Sequence, residues 1–343
     1  MSHPYRSLQG YQYWNSSMQV SGGTPDLSLL PLPRFRIGEL DRIATMGSCF
    51  AQHLGRHLAA NGLNYFFTEP DADGRVPPAF SCNYGNVYTV RQAAQLIHRA
   101  EVGDAESGEF WERDGRWFDA LRPLTCPTGY ASVAEALDKR SRHLANVATM
   151  LHEADVLVFT LGLTEAWMHG ETGIVYPSAP GVIAGEFEPT QHVFHNFSAA
   201  EVTSELRSLV ERLREINPRM RVILTVSPVS LAATYENRHV WVSTTYSKAA
   251  LRVAADVAVH EFDHVDYLPS FEAITAPTYR YRYLSPDNRS VEPAGVRHAM
   301  RLFSQFLRKE RDDLSATAVV PTAESGSVEM SDVICDEGLN QPS

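Results

Sequence analysis

The sequence predicts an α/β fold, a three-layer α/β/α sandwich around a mostly parallel central sheet of about five strands. Three observations predict it. Short apolar runs at Ile43–Met46 and Val156–Leu161 lack polar alternation, as expected of buried strands. Helix-length segments with capping signatures separate them, and strands alternating with helices imply parallel pairing. Small, polar or turn-forming residues follow four strands: Gly47-Ser48, Gly162-Leu163-Thr164-Glu165, Ser227-Pro228 and Pro269-Ser270. In such sheets a site gathers at the carboxyl ends of the strands.

Taken in order, residues 1–40 read as a loop-rich extension packed on the domain, with Tyr11, Tyr13 and Trp14 as anchors. The domain takes residues 41–310. The Ile43–Met46 strand turns at Gly47-Ser48 into a helix whose apolar stripe is Phe50, Leu54 and Leu58, stopped at Asn61-Gly62. Thr89-Val90-Arg91-Gln92 reads as a capping box that opens a helix carrying Val90, Ala94 and Ile97. Asp114-Gly115 sits between aromatic-rich pieces and predicts a hairpin. Ser132 through Glu135 opens a long helix to about Glu153, ahead of the Val156–Leu161 strand. Ser198 through Glu201 caps a helix bearing Val202, Leu206, Leu209 and Leu213, which Asn217-Pro218 ends. Arg221–Val226 is the next strand. A helix over Tyr246–Val259, a strand over His264–Leu268 and a helix over Pro293–Leu307 complete the domain. Residues 311–343 read as a disordered acidic tail, with five acids and no Lys or Arg from 315 on.

Composition excludes several functions. The net charge of −11 argues against nucleic acid and against an anionic membrane surface. No apolar leader opens the chain and no run reaches a membrane span, so cytoplasm is the expected location. Cys49, Cys82, Cys126 and Cys335 have no metal-ligand spacing, and a disulfide framework is not expected in a chain of 343 residues. His53 and His57 stand at i,i+4 without a third ligand and read as surface or packing residues. The loop glycines Gly170, Gly173, Gly181 and Gly185 form no phosphate fingerprint. Neither metal nor cofactor is expected. Trp111, Trp117 and Trp167 read as core aromatics ahead of a sugar-binding cleft, and Lys248 as an anion ligand or a solvated side chain.

The chemistry centres on Ser48. A strand that turns sharply into a helix presents its turn residue beside unpaired N–H groups and the positive end of the helix dipole. A serine nucleophile needs such donors, because attack on an acyl carbon creates an oxyanion. The competing reading is a helix cap, a position serine also favours. Gly85-Asn86 and the strand-end residues near Gly162 are placed to surround the same cleft.

The chain resembles the family named for its GSCFA motif, here Gly47-Ser48-Cys49-Phe50-Ala51. The resemblance runs from His3-Pro4-Tyr5-Arg6 with Tyr13-Trp14, through Tyr84-Gly85-Asn86-Val87-Tyr88-Thr89, to Thr160-Leu161-Gly162-Leu163-Thr164-Glu165-Ala166-Trp167. It continues in His195-Asn196-Phe197, Thr225-Val226-Ser227-Pro228-Val229, Tyr246-Ser247-Lys248 and the segment around Asp287. That family is similar to the SGNH (GDSL-like) hydrolases. The similarity implies Ser48 as nucleophile, Gly85 and Asn86 as oxyanion donors and Gly162 in the third block. Thr164 stands where such enzymes carry Asn, with Glu165 after it. The last block keeps Asp287, but Ser290 occupies the expected histidine position. Since a serine hydroxyl needs a neighbouring base, His195 is the substitute the motifs offer, oriented by Asp287 or Glu165, ahead of His264 and His298. Two functions follow. One is serine-dependent transfer or hydrolysis of an O-acyl group on a small-molecule or carbohydrate ester. The other is a module of the same fold that binds an acylated or carbohydrate ligand without turnover.

Overall fold

The computed structural model describes residues 3–17, 31–70, 74 and 76–308. The elements in chain order are α1 (Trp14–Ser17), β1 (Ile43–Gly47), α2 (Phe50–Ala60), α3 (Val90–Val102), β2 (Phe110–Arg113), β3 (Arg116–Asp119), α4 (Val133–Glu153) and β4 (Val156–Leu161). There follow β5 (Glu165–His169), β6 (Val175–Tyr176), β7 (His192–Asn196), α5 (Ala199–Ile216), β8 (Arg221–Val226), α6 (Val240–Glu261), β9 (Val265–Tyr267), α7 (Ser270–Thr275) and α8 (Pro293–Phe303).

The central sheet runs β1-β4-β8-β9, parallel throughout, with Ile43 opposite Val156, Val156 opposite Arg221 and Val222 opposite Val265. Successive side chains point to opposite faces, and here both faces are covered. Met46, Phe159 and Leu224 face a core shared with Ile97, Val147, Leu206 and Leu251 of α3 to α6. Ile43, Val158 and Ile223 face a second core with Leu54 of α2, Ile274 of α7 and Phe303 of α8. This double burial explains the unbroken apolar runs and makes the α/β/α sandwich.

Among the described residues four strands form the central sheet, not about five. The place beyond β1 is taken by a single parallel bridge between Ile43 and Tyr65. Ile43 donates to Asn64 O at 2.9 Å and Phe66 to Ile43 O at 2.8 Å, after which the chain leaves the ladder. Two smaller sheets flank it: the β2–β3 hairpin, and a three-stranded antiparallel sheet in the order β6-β5-β7. Asp114 and Gly115 turn the hairpin with φ of 53° and 71°, the left-handed pair that a two-residue hairpin loop requires. Trp111 and Phe118 of the hairpin and Tyr176 of β6 form a separate small core, so Trp111 is a packing residue.

The predicted caps sit at the helix starts. Thr89 accepts from Gln92 N at 3.1 Å and Ser132 from Glu135 N at 3.1 Å. Ser198 and Glu201 close a reciprocal box at 3.2 and 2.8 Å. Each such cap stabilises by about 1 kcal/mol. Within the N-terminal extension, Ile37 docks, donating to Phe306 O at 2.7 Å and accepting from Arg308 N at 2.9 Å. Residues 3–17 bury no side chain. The predicted acidic tail, 311–343, lies outside the described residues. Among the described residues no helix is long and apolar enough to cross a membrane.

Candidate active site

Ser48 leaves the carboxyl end of β1 through a turn that only glycine permits. Gly47 has φ of 134°, and a Cβ there would lie 2.2 Å from Thr160 O of the neighbouring strand. Ser48 N donates to that same carbonyl at 3.1 Å, and Ser48 O accepts from Ala51 N at 2.8 Å, which starts α2. The residue at the cap position of α2 is Cys49, so the Ser48 hydroxyl is not consumed as a cap. Nor does it face solvent. Ser48 is 2% exposed, and its Oγ makes no hydrogen bond among the described residues. Leaving a buried hydroxyl unpaired costs about 1–3 kcal/mol, a cost that asks for a functional reason.

Backbone hydrogen bonds bring three of the predicted blocks together. Val87 N donates to Gly47 O at 2.8 Å, and Tyr88 O accepts from Gly162 N and Leu163 N, both at 3.0 Å. Gly162 is wedged in this junction: a Cβ on it would lie 2.9 Å from Tyr88 O and 3.0 Å from Ser48 Cβ. Gly85 has φ of 70°, and the Asn86 side chain accepts from Gln52 of α2 at 3.3 Å. Ser48, Gly85–Tyr88 and Gly162 thus share one end of the sheet.

Thr164 faces elsewhere. Its N–H donates to Ser247 Oγ at 3.0 Å, and its hydroxyl donates to Asn196 Oδ1 at 2.7 Å, whose amide in turn donates to Glu236 at 2.9 Å. Ser247 and Lys248 are buried in α6, which starts six residues earlier than the sequence suggested. Lys248 Nζ donates to Gly162 O at 2.7 Å. Lys248 is therefore not a solvated side chain.

A cleft of about 260 Å³ opens beside this junction, walled by Tyr88, Leu163, Trp167, Tyr176, Leu231 and Tyr235. Glu165 lines it. Its carboxylate accepts from Thr234 Oγ1 at 2.7 Å and from Tyr235 N at 3.3 Å. Burial outweighs both bonds and raises its pKa above the usual carboxylate value. Trp167 stands edge-on to Tyr235, ring centres 4.7 Å apart, so it walls the cleft and is not purely a core residue. Tyr176 and Tyr235 escaped the sequence reading because they come from β6 and the loop after β8, which no motif joins to Ser48.

His195 lies on β7 opposite Ala166, one residue out of phase with Glu165 and Trp167, which pair with Asn196 and Phe194. Alternation along the strand puts the His195 ring on the other face of this small sheet from Glu165. There its Nε2 meets Glu201 Oε1 at 2.9 Å, and the ring stands edge-on to Phe197 at 4.5 Å. Glu201, not Asp287 or Glu165, orients it. Asp287 is occupied as well: its Oδ2 accepts from the Ser290 hydroxyl at 2.6 Å and its Oδ1 from Arg289 N and Ser290 N, both at 2.9 Å. Burial would raise the Asp287 carboxyl, but these donors hold it below its ordinary value. Arg289 Nε donates to Ser230 O at 3.0 Å, tying this turn to the loop after β8. His264 sits at the amino end of β9, its carbonyl paired with Val222 N, at the end of the sheet away from Ser48. His298 is buried against Tyr279, 3.1 Å from its hydroxyl.

Solved structures with partial likeness include a protein described as a GDSL-like lipase from Parabacteroides merdae. It is 13% identical, with a TM-score of 0.29 over 52% of this chain and 69% of that one. A variant of an acetyl-xylooligosaccharide esterase from Geobacillus Stearmophilus is 14% identical, with a TM-score of 0.35 over 80% of this chain and all of the other (100%). An acetyl xylan esterase from Butyrivibrio proteoclasticus is 12% identical, with a TM-score of 0.30 over 78% of this chain and 63% of its own. No curated protein matches. Ser48, the Gly85–Tyr88 block, Gly162, His195, Lys248 and Asp287 all fall within residues 42–303, which match the model described as the GSCFA family, and the chain belongs to that family.

Proposed function

We propose that the chain performs serine-dependent acyl transfer on an O-acyl ester, as an esterase or O-acyltransferase, with Ser48 as the nucleophile. The observation that supports this best is the unpartnered Ser48 hydroxyl, held on a glycine-only turn and packed on Gly162. Nothing about the fold requires a serine with an unspent hydroxyl there. The cleft beside Tyr88 and Leu163 takes the ester, a small molecule or an acylated carbohydrate. Oγ attacks the acyl carbon, and the oxyanion meets the Gly85 N–H and the Asn86 side chain. Each such donor contributes about 2.7–4 kcal/mol to the transition state. The acyl-enzyme then passes its acyl group to water or to another hydroxyl.

A second reading, binding without turnover, is favoured by one observation: Ser290 holds Asp287 where the resembled hydrolases have their histidine. Incubation with a fluorophosphonate probe, followed by mapping of the labelled peptide, separates the two. Labelling at Ser48 that disappears in Ser48→Ala, with the circular dichroism spectrum unchanged, is the expected result. A folded wild-type chain that stays unlabelled overturns the nucleophile and leaves the binding module.

A further inference from the structure

We infer that Lys248 is the proton acceptor for Ser48, in the place that a histidine takes in the resembled hydrolases. The inference rests on the assignment of Ser48 as nucleophile. Lys248 is 2% exposed, an unusual burial for a lysine. It projects from α6 into the strand-end junction, where its Nζ donates to Gly162 O at 2.7 Å. Gly162 is the residue packed on Ser48, since a methyl group there would stand 3.0 Å from Ser48 Cβ. Amine and hydroxyl therefore flank the same glycine. The preceding residue, Ser247, accepts the Thr164 N–H at 3.0 Å, so α6 is fastened to this turn at two successive side chains. His195, His298 and Asp287 are committed elsewhere, to Glu201, Tyr279 and Ser290, and His264 lies at the other end of the sheet.

Lysine suits the role. An ammonium held away from water is costly, and buried lysines serve as general bases for that reason. Serine–lysine pairs perform acyl transfer on unrelated folds. The role requires Nζ to swing from the Gly162 carbonyl to the hydroxyl, a movement for which lysine has a flexible four-carbon stem. In the first half-reaction the neutral amine takes the Oγ proton as Oγ bonds to the acyl carbon. The ester C–O bond then breaks, and the resulting ammonium gives that proton to the leaving alkoxide. In the second half, the amine takes a proton from water or an acceptor hydroxyl. That oxygen attacks the acyl carbon, the bond to Ser48 breaks, and Oγ recovers the proton.

The test is the rate of fluorophosphonate labelling at Ser48 against pH, on the full chain. The wild-type rate is expected to rise through a single ionisation. Lys248→Met is expected to lower it a hundred- to ten-thousand-fold. Lys248→Arg keeps a cationic donor for Gly162 O but cannot accept a proton at these pH values, so it is expected to be as slow and to lose the pH step. Labelling at the wild-type rate in either folded variant overturns the base and leaves Lys248 as a structural pin. Should both variants fail to fold, the wild type still decides. Lys139, Lys248 and Lys309 are the chain's three lysines, so carbon-13 lysine labelling resolves the buried amine by NMR, and its titration midpoint must coincide with that of the labelling rate. A mismatch overturns the proposal. If the wild type never labels at Ser48, nucleophile and base fall together, an outcome distinct from the failure of Lys248 alone.

Discussion

At Ser48 the decisive neighbours are glycines. Gly47 is required by its φ of 134° and by the Thr160 carbonyl, while Gly162 is required because backbone and Ser48 itself fill the space a Cβ would take. Ser48 itself is buried between them, while Tyr88 and Leu163, which hydrogen-bond at this junction, wall the neighbouring cleft. The contrast with His195 is instructive. That histidine sits in a family motif, yet its hydrogen-bonding contact with Glu201 leaves the two side chains 36% and 39% exposed and turned away from Glu165. Exposed pairs of this kind are worth under about 1 kcal/mol. His195→Ala is therefore expected to lower stability by no more than that and to leave labelling at Ser48 unchanged, measured by urea titration alongside the probe. A hundred-fold loss of labelling in a folded His195→Ala protein would restore it as the base.

Among the elements, the β2–β3 hairpin packs in its own small core apart from the central sheet, and a buried charge cluster holds it to α4. Asp119 pairs with Arg140 at 2.5 Å and with Arg122 at 3.1 Å. Arg140 also donates to the carbonyls of Ala105, Ser107, Gly108 and Glu109. Burial alone would raise the Asp119 carboxyl, but the two guanidinium groups outweigh it and hold the pKa at about 2. The folded value lies below the unfolded value near 4. The linked stabilisation is thus present in full above about pH 4 and is lost as pH falls through that value toward 2. Asp119→Asn leaves two arginines buried without their carboxylate and is expected to cost about 3–5 kcal/mol at pH 7. Urea titrations at pH 7 and pH 3 check both points: the wild type weakens at the lower pH, whereas the variant starts weaker and loses less.

Over the whole molecule, stability is shared by two cores that have the same strands as a common wall. Phe159 faces α3 to α6 while its neighbour Val158 faces α2, α7 and α8. Neither core survives if the sheet opens, so one cooperative transition is expected. Phe159→Ala, at a position 1% exposed, is expected to cost about 3–5 kcal/mol. It should shift far-ultraviolet dichroism and tryptophan fluorescence together in urea. Separate midpoints for the two signals would show that the cores unfold independently. The same shared wall places the candidate site, because parallel strands bring Ser48, Gly162 and the Ser227–Leu231 loop to the carboxyl end of the sheet.

The sequence by itself determined the elements whose signals are local. Doubly buried strands, serine and threonine caps, the Asp114-Gly115 turn and the glycine before Ser48 are written within a few residues of one another, in periodicity and backbone sterics. Their order also implied a parallel sheet with its site at the carboxyl ends. Only the tertiary structure decided what depends on register between distant segments. One residue of phase between β5 and β7 sends His195 to the face away from Glu165, and a single bridge at Tyr65 replaces a fifth strand. The burial of Ser48 and of Lys248 arises where β1, the Tyr88 loop, Gly162 and α6 close over one another. No local pattern specifies that closure, because it is fixed by hydrogen bonds between distant blocks, Ser48 with Thr160, Gly162 with Tyr88 and Lys248 with Gly162.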